Sequence, residues 1–354
     1  MKQFKRIGVL TSGGDAPGMN AAIRAIVRSA IANGVEVMGI YRGYSGLIKG
    51  DIHPLALRDV SNLINKGGTT LYSDRCPEFK TTEGQLAGVE NCRRFGIDGI
   101  IVIGGDGTFQ GGSALTSHGV PCIGLPGTID NDIATTDNTI GFNTAMNTVI
   151  DMVDKLRDTC ESHARCSVIE VMGRGAGDIA LETGIASGAT AICIPELPVN
   201  EEAIIRKIEA SRKLGKRNFI VMVSEGLGPE FGPKLTERIE HETGVETRFT
   251  RLGHVVRGGN PSLRDRVLAT EMGAFAVSEL LRGRSDIVIC ERQGELVSTD
   301  IRYSLILDRM WKNKLRDGDL DAYTPDEIAE MRRICEEKIA RIRARHEMAD
   351  QINL

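Results

Sequence analysis

Three aspartates in two glycine-containing stretches are the residues of this 354-residue chain best suited to chemistry. Asp106 lies in IGGDGT (103–108), whereas Asp130 and Asp132 lie in LPGTIDND (125–132). Carboxylate oxygens are ligands that Mg²⁺ prefers, and glycines allow a phosphate group to come close to the backbone. The two stretches therefore indicate magnesium-assisted phosphoryl transfer, with one carboxylate left over as a base.

Both stretches follow apolar runs that are typical of buried strands. The runs GIIVIGG (99–105) and VPCIGLPG (120–127) each stop at glycines. Parallel strands deliver the residues that follow them to one edge of a sheet, where α/β proteins bind ligands. We therefore expect the three aspartates to meet at that edge.

A third glycine loop supports the same chemistry. A predicted strand at 7–12 leads into GGDAPG (13–18) and then into a helix predicted over 19–34, which has one apolar face. A glycine loop that runs into a helix start offers free N–H groups and a helix dipole to an anion. No Gly-Lys-Ser/Thr follows, and the loop is not G-x-G-x-x-G, so neither Walker-type nor dinucleotide-type binding is predicted.

Strand and helix patterns alternate along the rest of the chain, which predicts an α/β fold with mostly parallel sheets. The other predicted strands cover 36–41, 166–173, 191–196, 219–226 and 286–292, and the other predicted helices include 142–158, 201–214 and 266–282. The tail differs. Thr324, Pro325 and Glu327 look like a capping box, and apolar residues follow at three- and four-residue spacing. We expect an amphipathic helix docked on the body or at a subunit contact.

Composition excludes several classes of protein. The length suits two domains, and a net charge of −4 argues against a broad nucleic-acid surface. No apolar run approaches the roughly 18 residues that span a membrane, and the N-terminus has no signal-peptide character, so a cytoplasmic protein is expected. The eight cysteines contain no C-x-x-C pair, which favours reduced thiols over disulfides or zinc.

The order of several motifs resembles that of the bacterial 6-phosphofructokinases, the phosphofructokinase A family. The resemblance covers about 5–305 and rests on SGGDAPGMNAAIR, NKGGTTLYSDR, VIGGDGT, PCIGLPGTIDND, SVIEVMGR, SEG and LGHVVRGG. PGTIDND is highly specific, whereas GGDGT also occurs in NAD and lipid kinases. The resemblance implies a kinase that makes fructose 1,6-bisphosphate from fructose 6-phosphate, with ATP as co-substrate and Mg²⁺ as cofactor.

The resemblance also implies two Rossmann-like three-layer α/β/α domains. A larger nucleotide-binding domain would comprise 1–141 and about 256–307. A smaller sugar-phosphate domain would comprise about 142–255 and 308–323, with 324–354 as a C-terminal extension. The family is oligomeric, typically tetrameric, because Arg165 and Arg248 reach into the site of a neighbouring subunit.

Residue roles follow from the same resemblance. Asp130 would be the general base, Asp106 the magnesium ligand and Asp132 its support, although aspartate clusters also cap helices or form turns. Thr128, Arg174 and Arg75 complete the catalytic set. The nucleotide residues would be Gly14, Arg75, Cys76, Gly105, Asp106, Gly107 and Thr108. The sugar-phosphate residues would be Thr128, Ile129, Asp130, Arg165, Met172, Gly173, Arg174, Glu225, Arg248, His254, Val255, Val256 and Arg257.

Two glycines favour ATP over pyrophosphate. Pyrophosphate-using relatives commonly carry Asp at the position of Gly107 and Lys at that of Gly127, and a carboxylate there would repel a nucleotide phosphate. A pyrophosphate-dependent enzyme remains the alternative. A NAD or lipid kinase and a non-catalytic homologue are disfavoured, because the chain has PGTIDND and both Asp106 and Asp130.

An effector site is expected to be diminished. Arg24, Arg28, Arg157 and Lys216 resemble the cations with which family members bind effector phosphates. Alternatively, Arg24 and Arg28 form only a solvated basic face of the first helix. Three further positions depart from the family: Leu57 and Leu214 replace common cations, and Thr190 replaces a common glutamate. Losing two cations and an acid should weaken the binding of ADP or phosphoenolpyruvate.

Overall fold

The apolar runs of the sequence form the central strands of two sheets, each covered by helices. The structure, a computed structural model, describes residues 4–353. Residues 1–3, which belong to the N-terminus considered in the sequence analysis, and Leu354 of the tail lie outside the described part. The chain divides into a first unit (residues up to 129, 133–144 and 257–322) and a second unit (130–132, 145–256 and from 323 onward).

The strands are short and mostly buried. They are β1 (Arg6–Thr11), β2 (Glu36–Ile40), β3 (Ile52–Leu55), β4 (Gly99–Gly104), β5 (Cys122–Thr128), β6 (Ile140–Gly141), β7 (Cys166–Val171), β8 (Ala191–Cys193), β9 (Phe219–Ser224), β10 (Thr247–Arg251), β11 (Ile287–Arg292) and β12 (Glu295–Asp300).

The helices fill the intervals between the strands. They are α1 (Met19–Ala32), α2 (Gly43–Lys49), α3 (Thr82–Phe95), α4 (Asp106–Ser117), α5 (Phe142–His163), α6 (Asp178–Ala186), α7 (Glu201–Lys213), α8 (Phe231–Thr243), α9 (Leu263–Leu281), α10 (Ile301–Trp311) and α11 (Pro325–Ile352), with 3₁₀ turns at Pro77–Lys80, Glu225–Leu227 and Gly253–Arg257.

The sheet of the first unit has the order β12-β11-β5-β4-β1-β2-β3, and β6 pairs with β5. Its central strands are parallel: Ile7 of β1 lies opposite Gly99 of β4, and Ile101 of β4 lies opposite Ile123 of β5. Every residue of β4 and β5 is buried, as expected of parallel strands that are covered on both faces. The carboxyl ends of β1, β4 and β5 carry the three glycine-containing loops singled out in the sequence.

The sheet of the second unit has four parallel strands in the order β10-β7-β9-β8. Its core is an apolar cluster built from β7, β9 and the helices α7 and α8, with Phe219 and Val221 at its centre. The loop after β7 and the turn after β9 both lie at the carboxyl edge of this sheet, where functional groups collect in α/β proteins.

The predicted α/β class with mostly parallel sheets is confirmed. Antiparallel pairing occurs only at β2–β3 and β11–β12 among the described strands, and the sequence analysis did not anticipate either pair. The eight cysteines are free thiols. No helix among residues 4–353 is long and apolar enough to cross a membrane.

Several assignments to units differ from the predicted boundaries: residues 130–132 belong to the second unit and residues 142–144 to the first, and two longer segments differ as well. Residues 308–322 belong to the first unit rather than the second, because α10 packs against α4. The tail belongs to the second unit instead of standing apart, since Arg345 of α11 forms an ion pair with Glu182 and His346 bonds the carbonyl of Ile192. The predicted capping box at Thr324 and Glu327 is present.

Candidate active site

The glycine loop after β1 is held between a serine and an arginine. Ser73 donates a hydrogen bond to the carbonyl of Gly13. The guanidinium of Arg257 lies against Gly14, where a Cβ would come 2.6 Å from Nη1, and Nη1 donates to the carbonyl of Asp15 at 3.3 Å. A side chain at position 14 would have to displace this guanidinium. Arg257, expected in the sugar-phosphate set, thus lies against a loop of the nucleotide set.

The loop after β4 is tied to the loop after β1. Thr108 is 3% exposed, and its Oγ1 donates to the carbonyl of Ser12 at 3.1 Å. Tyr44 Oη donates to the Thr108 carbonyl at 2.5 Å. A Cβ at Gly104 would come 2.4 Å from the Ser12 oxygen. Thr108, predicted to contact the nucleotide, has its hydroxyl engaged in joining two loops.

The three glycines that bear on the phosphoryl donor have different surroundings. A Cβ at Gly105 or Gly107 would meet nothing within 4 Å, so these residues leave open space beside the start of α4. A Cβ at Gly127 would come 2.8 Å from Ile103 Cγ2. Packing within the sheet therefore disfavours a side chain at position 127, whereas Gly105 and Gly107 leave room beside the start of α4.

Arg75 extends from a loop whose backbone is fixed. Asp74 accepts hydrogen bonds from the Arg75 N–H at 2.8 Å and from Ser45 Oγ at 2.9 Å. Cys76 caps the 3₁₀ turn at Pro77–Lys80. The side chain of Arg75 is exposed, so the loop presents a guanidinium to solvent.

Asp106 opens α4 and has a cation beside it. Lys312 Nζ lies 3.1 Å from Asp106 Oδ2. Oδ1 of Asp106 is buried and receives no hydrogen bond from the described residues. The negative charge lies at a helix N-terminus, where the backbone N–H groups stabilise it.

Asp308 faces Asp106 and was missed by the sequence analysis. It is 2% exposed, and its Oδ1 accepts a hydrogen bond from the Ala134 N–H at 2.5 Å. Burial raises the pKa of Asp308 well above its usual range; the negative charge of Asp106 adds to this, whereas Lys312 opposes it. Asp308 lies on the same buried face of α10 as Ile301 and Ser304. An acidic residue at a buried helical position is unusual, and this pattern could have identified Asp308 from the sequence.

Asp130 and Asp132 share one arginine in the second unit. Arg174 Nε lies 3.9 Å from Asp130 Oδ2, and Nη1 lies 3.9 Å from Asp132 Oδ2. The carboxylate side chains are 3% and 6% exposed, whereas that of Arg174 is 64% exposed. Arg174 has φ of 55° and Asn131 has φ of 49°, conformations that cost non-glycine residues energy and concentrate at functional sites.

The loop after β7 is shaped by Glu225. Its Oε1 accepts hydrogen bonds from the N–H groups of Gly173 at 3.1 Å and Arg174 at 2.8 Å. Met172 is 8% exposed. Glu225 was expected to contact the sugar directly; in the structure one of its oxygens holds the backbone that carries Arg174.

Arg165 and Arg248 meet at one glutamate. Arg165 Nε lies 2.8 Å from Glu246 Oε2, and Arg248 forms an ion pair with the other oxygen of Glu246. The hydrogen bond from Arg165 lowers the pKa of Glu246, and the same bond raises the pKa of Arg165. The two arginines predicted to act together are therefore brought together, by a glutamate that the sequence analysis did not single out.

His254 to Val256 form a 3₁₀ turn in the second unit. His254 is exposed, Val255 is 52% exposed and Val256 is buried. His254 is therefore not part of the apolar core. In the first unit, the Thr128 carbonyl accepts a hydrogen bond from Thr139 Oγ1 at 2.6 Å, and Ile129 is fully buried.

The proposed effector cations fall in both units. Arg24 and Arg28 are half-buried on α1. Arg157 donates to Asn218 Oδ1 at 3.0 Å and to the Ser187 carbonyl. Burial lowers the pKa of Lys216, and the positive charges of Lys207 and Arg157 add to this. Of the three departures from the family, Thr190 is 1% exposed, whereas Leu57 and Leu214 are 44% and 87% exposed.

Of the three aspartates that were predicted to lie together, the structure brings two together. Asp130 and Asp132 meet at Arg174 in the second unit. Asp106 belongs to the first unit, where its neighbours are Lys312 and Asp308. The convergence of Asp106 with the other two stays a prediction.

Known proteins resemble the chain over most of its length. A family model described as phosphofructokinase matches residues 6–280. The ATP-dependent 6-phosphofructokinase of Bacillus velezensis is 56% identical over 298 residues, which cover 84% of this chain and 93% of that protein. Phosphofructokinase structures from Pichia pastoris and Saccharomyces cerevisiae are each 34% identical, with TM-scores of 0.85 and 0.82. They cover 99% and 95% of this chain, which spans 39% and 50% of the two yeast chains.

Proposed function

Because the chain belongs to the phosphofructokinase family, we propose specific roles for its acidic and basic residues in that family's reaction. The reaction is the transfer of a phosphoryl group from ATP to fructose 6-phosphate, a step of glycolysis. The chemistry requires a base for the attacking hydroxyl, cations for the phosphoryl oxygens and room for a nucleotide.

Asp130 is the base that takes the proton from the 1-hydroxyl of fructose 6-phosphate. The observation that supports this role is a buried carboxylate beside an exposed guanidinium that reaches it at 3.9 Å. The arginine stabilises the negative charge that a base needs, yet a weak contact leaves the carboxylate able to accept a proton. Arg174 is then free to turn toward the transferred phosphoryl group, with Thr128 helping to hold it.

The first unit supplies the groups for ATP. The open space at Gly105 and Gly107 accommodates phosphates beside the start of α4, whose N–H groups point toward an anion. Arg75 adds a positive charge from a fixed loop, which stabilises the charge that develops on the phosphoryl oxygens. Gly14 and Cys76 line the same loops.

A magnesium ion fits the carboxylate of Asp106. Its buried Oδ1 receives no hydrogen bond from the described residues, and carboxylate oxygens match the preference of this cation. Asp106 would hold the ion and Asp132 would support it. Bound there, the ion would neutralise phosphate charge.

The sugar phosphate is bound by arginine forks. Arg165 and Arg248 are oriented as a pair by Glu246, and a planar fork matches phosphate oxygens. His254 and Arg257 complete the proposed set. We also propose a homotetramer in which Arg165 and Arg248 serve a neighbouring subunit, and a cytoplasmic location. The diminished effector site stays a prediction.

The decisive experiment measures chemistry and binding separately in Asp130→Asn. We expect the single-turnover rate to fall by about 10²–10⁴-fold, since a positioned base contributes that much, while the affinity for fructose 6-phosphate changes little. Asp137→Asn is the matched control, because Asp137 lies seven residues along the same segment and accepts a bond from the Gln293 N–H. An unchanged single-turnover rate in Asp130→Asn would overturn the assignment.

A further inference from the structure

We propose that Asp308 and Lys312 set the affinity of Asp106 for a divalent cation, with opposite signs. Asp308 is a second carboxylate for the cation, and Lys312 is the resident positive charge that the cation must displace. This inference rests on the proposed magnesium role of Asp106. Both Asp308 and Lys312 lie beyond residues 6–280, which the family model matches.

The surroundings of Asp308 suit a cation. Asp308 is 2% exposed and projects from α10 toward Asp106. Oδ1 of Asp106 and Oδ2 of Asp308 are both buried, and no group among residues 4–353 donates a hydrogen bond to either. Two buried carboxylate oxygens that lack donors are costly unless a positive charge or a proton lies beside them.

The other oxygen of each carboxylate is already engaged. Asp106 Oδ2 faces Lys312 Nζ at 3.1 Å, and Asp308 Oδ1 accepts the Ala134 N–H at 2.5 Å. These contacts engage one oxygen of each carboxylate and leave the second oxygen of each without a donor among residues 4–353. Asp308 thereby joins Asp106, which opens α4, to the segment that follows the TIDND motif.

Two carboxylate ligands are enough to hold a magnesium ion that also binds the phosphates of a nucleotide. Residues 4–353 contain no group of three His, Cys, Asp or Glu side chains arranged as a metal cage. Mg²⁺ usually keeps several waters and binds through one or two carboxylates together with substrate phosphates. The pair Asp106 and Asp308 fits that pattern, and the phosphates of ATP would supply the remaining oxygens.

Lys312 competes with the cation for the same charge. It lies one turn beyond Asp308, at the C-cap of α10, and its side chain is 19% exposed. Beside a largely buried carboxylate, a lysine neutralises charge that would otherwise be costly to bury. A metal ion that binds Asp106 must displace or be repelled by this lysine, which lowers the free energy gained on binding. Removing the lysine should therefore tighten metal binding.

The test uses Mn²⁺ as the probe with nucleotide-free enzyme, and measures free Mn²⁺ by electron paramagnetic resonance and its displacement by Mg²⁺. Asp308→Asn should weaken Mn²⁺ binding by about tenfold, the lower end of the effect of residues that support a metal ligand. The asparagine Oδ1 still accepts the Ala134 N–H, so the change removes charge and little else. Lys312→Gln should tighten binding severalfold.

Two control variants are matched to these changes. Asp319→Asn removes a carboxylate that pairs with Arg309 of the same helix, and Lys314→Gln removes an exposed lysine two residues from Lys312. Both controls should bind Mn²⁺ as the unaltered protein does. A change of the same sign in Asp308→Asn and Lys312→Gln, or no change in either, would overturn the proposal.

Asp106→Asn separates this inference from the role on which it rests. If Asp106→Asn leaves Mn²⁺ binding unchanged, the proposed metal role of Asp106 is wrong. If Asp106→Asn weakens binding and Asp308→Asn does not, only the present inference is wrong. Should Asp308→Asn fail to fold, Lys312→Gln decides alone, because tighter binding supports the proposal and unchanged or weaker binding contradicts it.

Discussion

Each unit places one cation beside two aspartates, but the two cations are held very differently. In the first unit, Lys312 lies 3.1 Å from Asp106 with a side chain that is 19% exposed. In the second unit, Arg174 reaches Asp130 and Asp132 only at 3.9 Å, with a side chain that is 64% exposed. The lysine is fixed close to one carboxylate, whereas the arginine is loosely engaged with two.

The difference indicates two uses of positive charge. A lysine ammonium is a compact charge that neutralises a nearby carboxylate, whereas an arginine fork can exchange a carboxylate for a phosphate of similar geometry. Arg174 also occupies a left-handed backbone conformation, with φ of 55°, which tertiary structure must maintain. The second unit therefore keeps its cation available to a ligand, and the first unit uses its cation to balance charge.

Among the variants that test this contrast, Arg174→Gly should have the largest effect on activity, because it removes the cation that the second unit keeps available to a ligand. Losing a charge-assisted contact to a phosphoryl group should lower kcat/KM by about 100-fold. The free energy of unfolding should change by no more than about 1 kcal/mol, because glycine relieves the strain at φ of 55° while adding entropy to the unfolded chain. Steady-state kinetics and denaturant unfolding of the same preparation give both quantities.

Arg42→Gly is the control for that variant. Arg42 also has a positive φ, 59°, and its exposed side chain pairs with Asp51, outside the proposed site. It should retain full activity. If Arg174→Gly loses activity only in proportion to a loss of folded protein, Arg174 stabilises the unit and does not act on the ligand.

The two carboxylate pairs also show how far sequence reasoning reaches. Asp130 and Asp132 are two residues apart in one motif that follows a buried strand, so their proximity could be predicted. Asp106 meets Lys312 across 206 residues of sequence, and that contact depends on how α10 packs against α4. Side-chain packing between distant helices leaves no local pattern to recognise.

A similar limit applies to residues that orient others. Glu246 holds Arg165 and Arg248 together, yet nothing in the sequence near it suggests a functional role. Gly127 was interpreted through the phosphoryl donor, whereas its environment shows that packing against Ile103 disfavours a side chain. The central strands, the glycine loops and the acidic motif could be predicted because they are local or periodic; these cooperative contacts are neither.

Glu225 offers a sharper test of what maintains Arg174. Glu225→Gln keeps an oxygen that can accept from the N–H groups of Gly173 and Arg174, whereas Glu225→Ala removes it. We expect alanine to raise the KM for fructose 6-phosphate by about tenfold, since one or two hydrogen bonds that orient the loop are lost, and glutamine to raise it far less. Equal losses in the two variants would show that the carboxylate charge contacts the sugar directly, as the sequence analysis expected.

The smallest expected effect concerns Glu196, an acid that follows β8 and contacts the far end of the loop after β7. Glu196 Oε1 accepts a hydrogen bond from the Gly177 N–H at 2.8 Å. Burial raises the pKa of Glu196 above its ordinary value of 4.5, although this hydrogen bond opposes the shift. The folded protein therefore binds this proton more tightly than the unfolded chain, so the stability contributed by Glu196 is greatest below pH 4.5 and is lost as the pH rises through the raised pKa.

Glu196→Gln should remove that pH dependence. Glutamine stays neutral and keeps the oxygen that accepts from Gly177, so the variant should have the higher Tm near neutral pH and lose this advantage as the pH falls toward 4.5. Thermal unfolding of both proteins across this range measures the difference, with Glu209→Gln on the exposed side of α7 as the control. A difference in Tm that is independent of pH would show that Glu196 carries the same charge in the folded and unfolded chains.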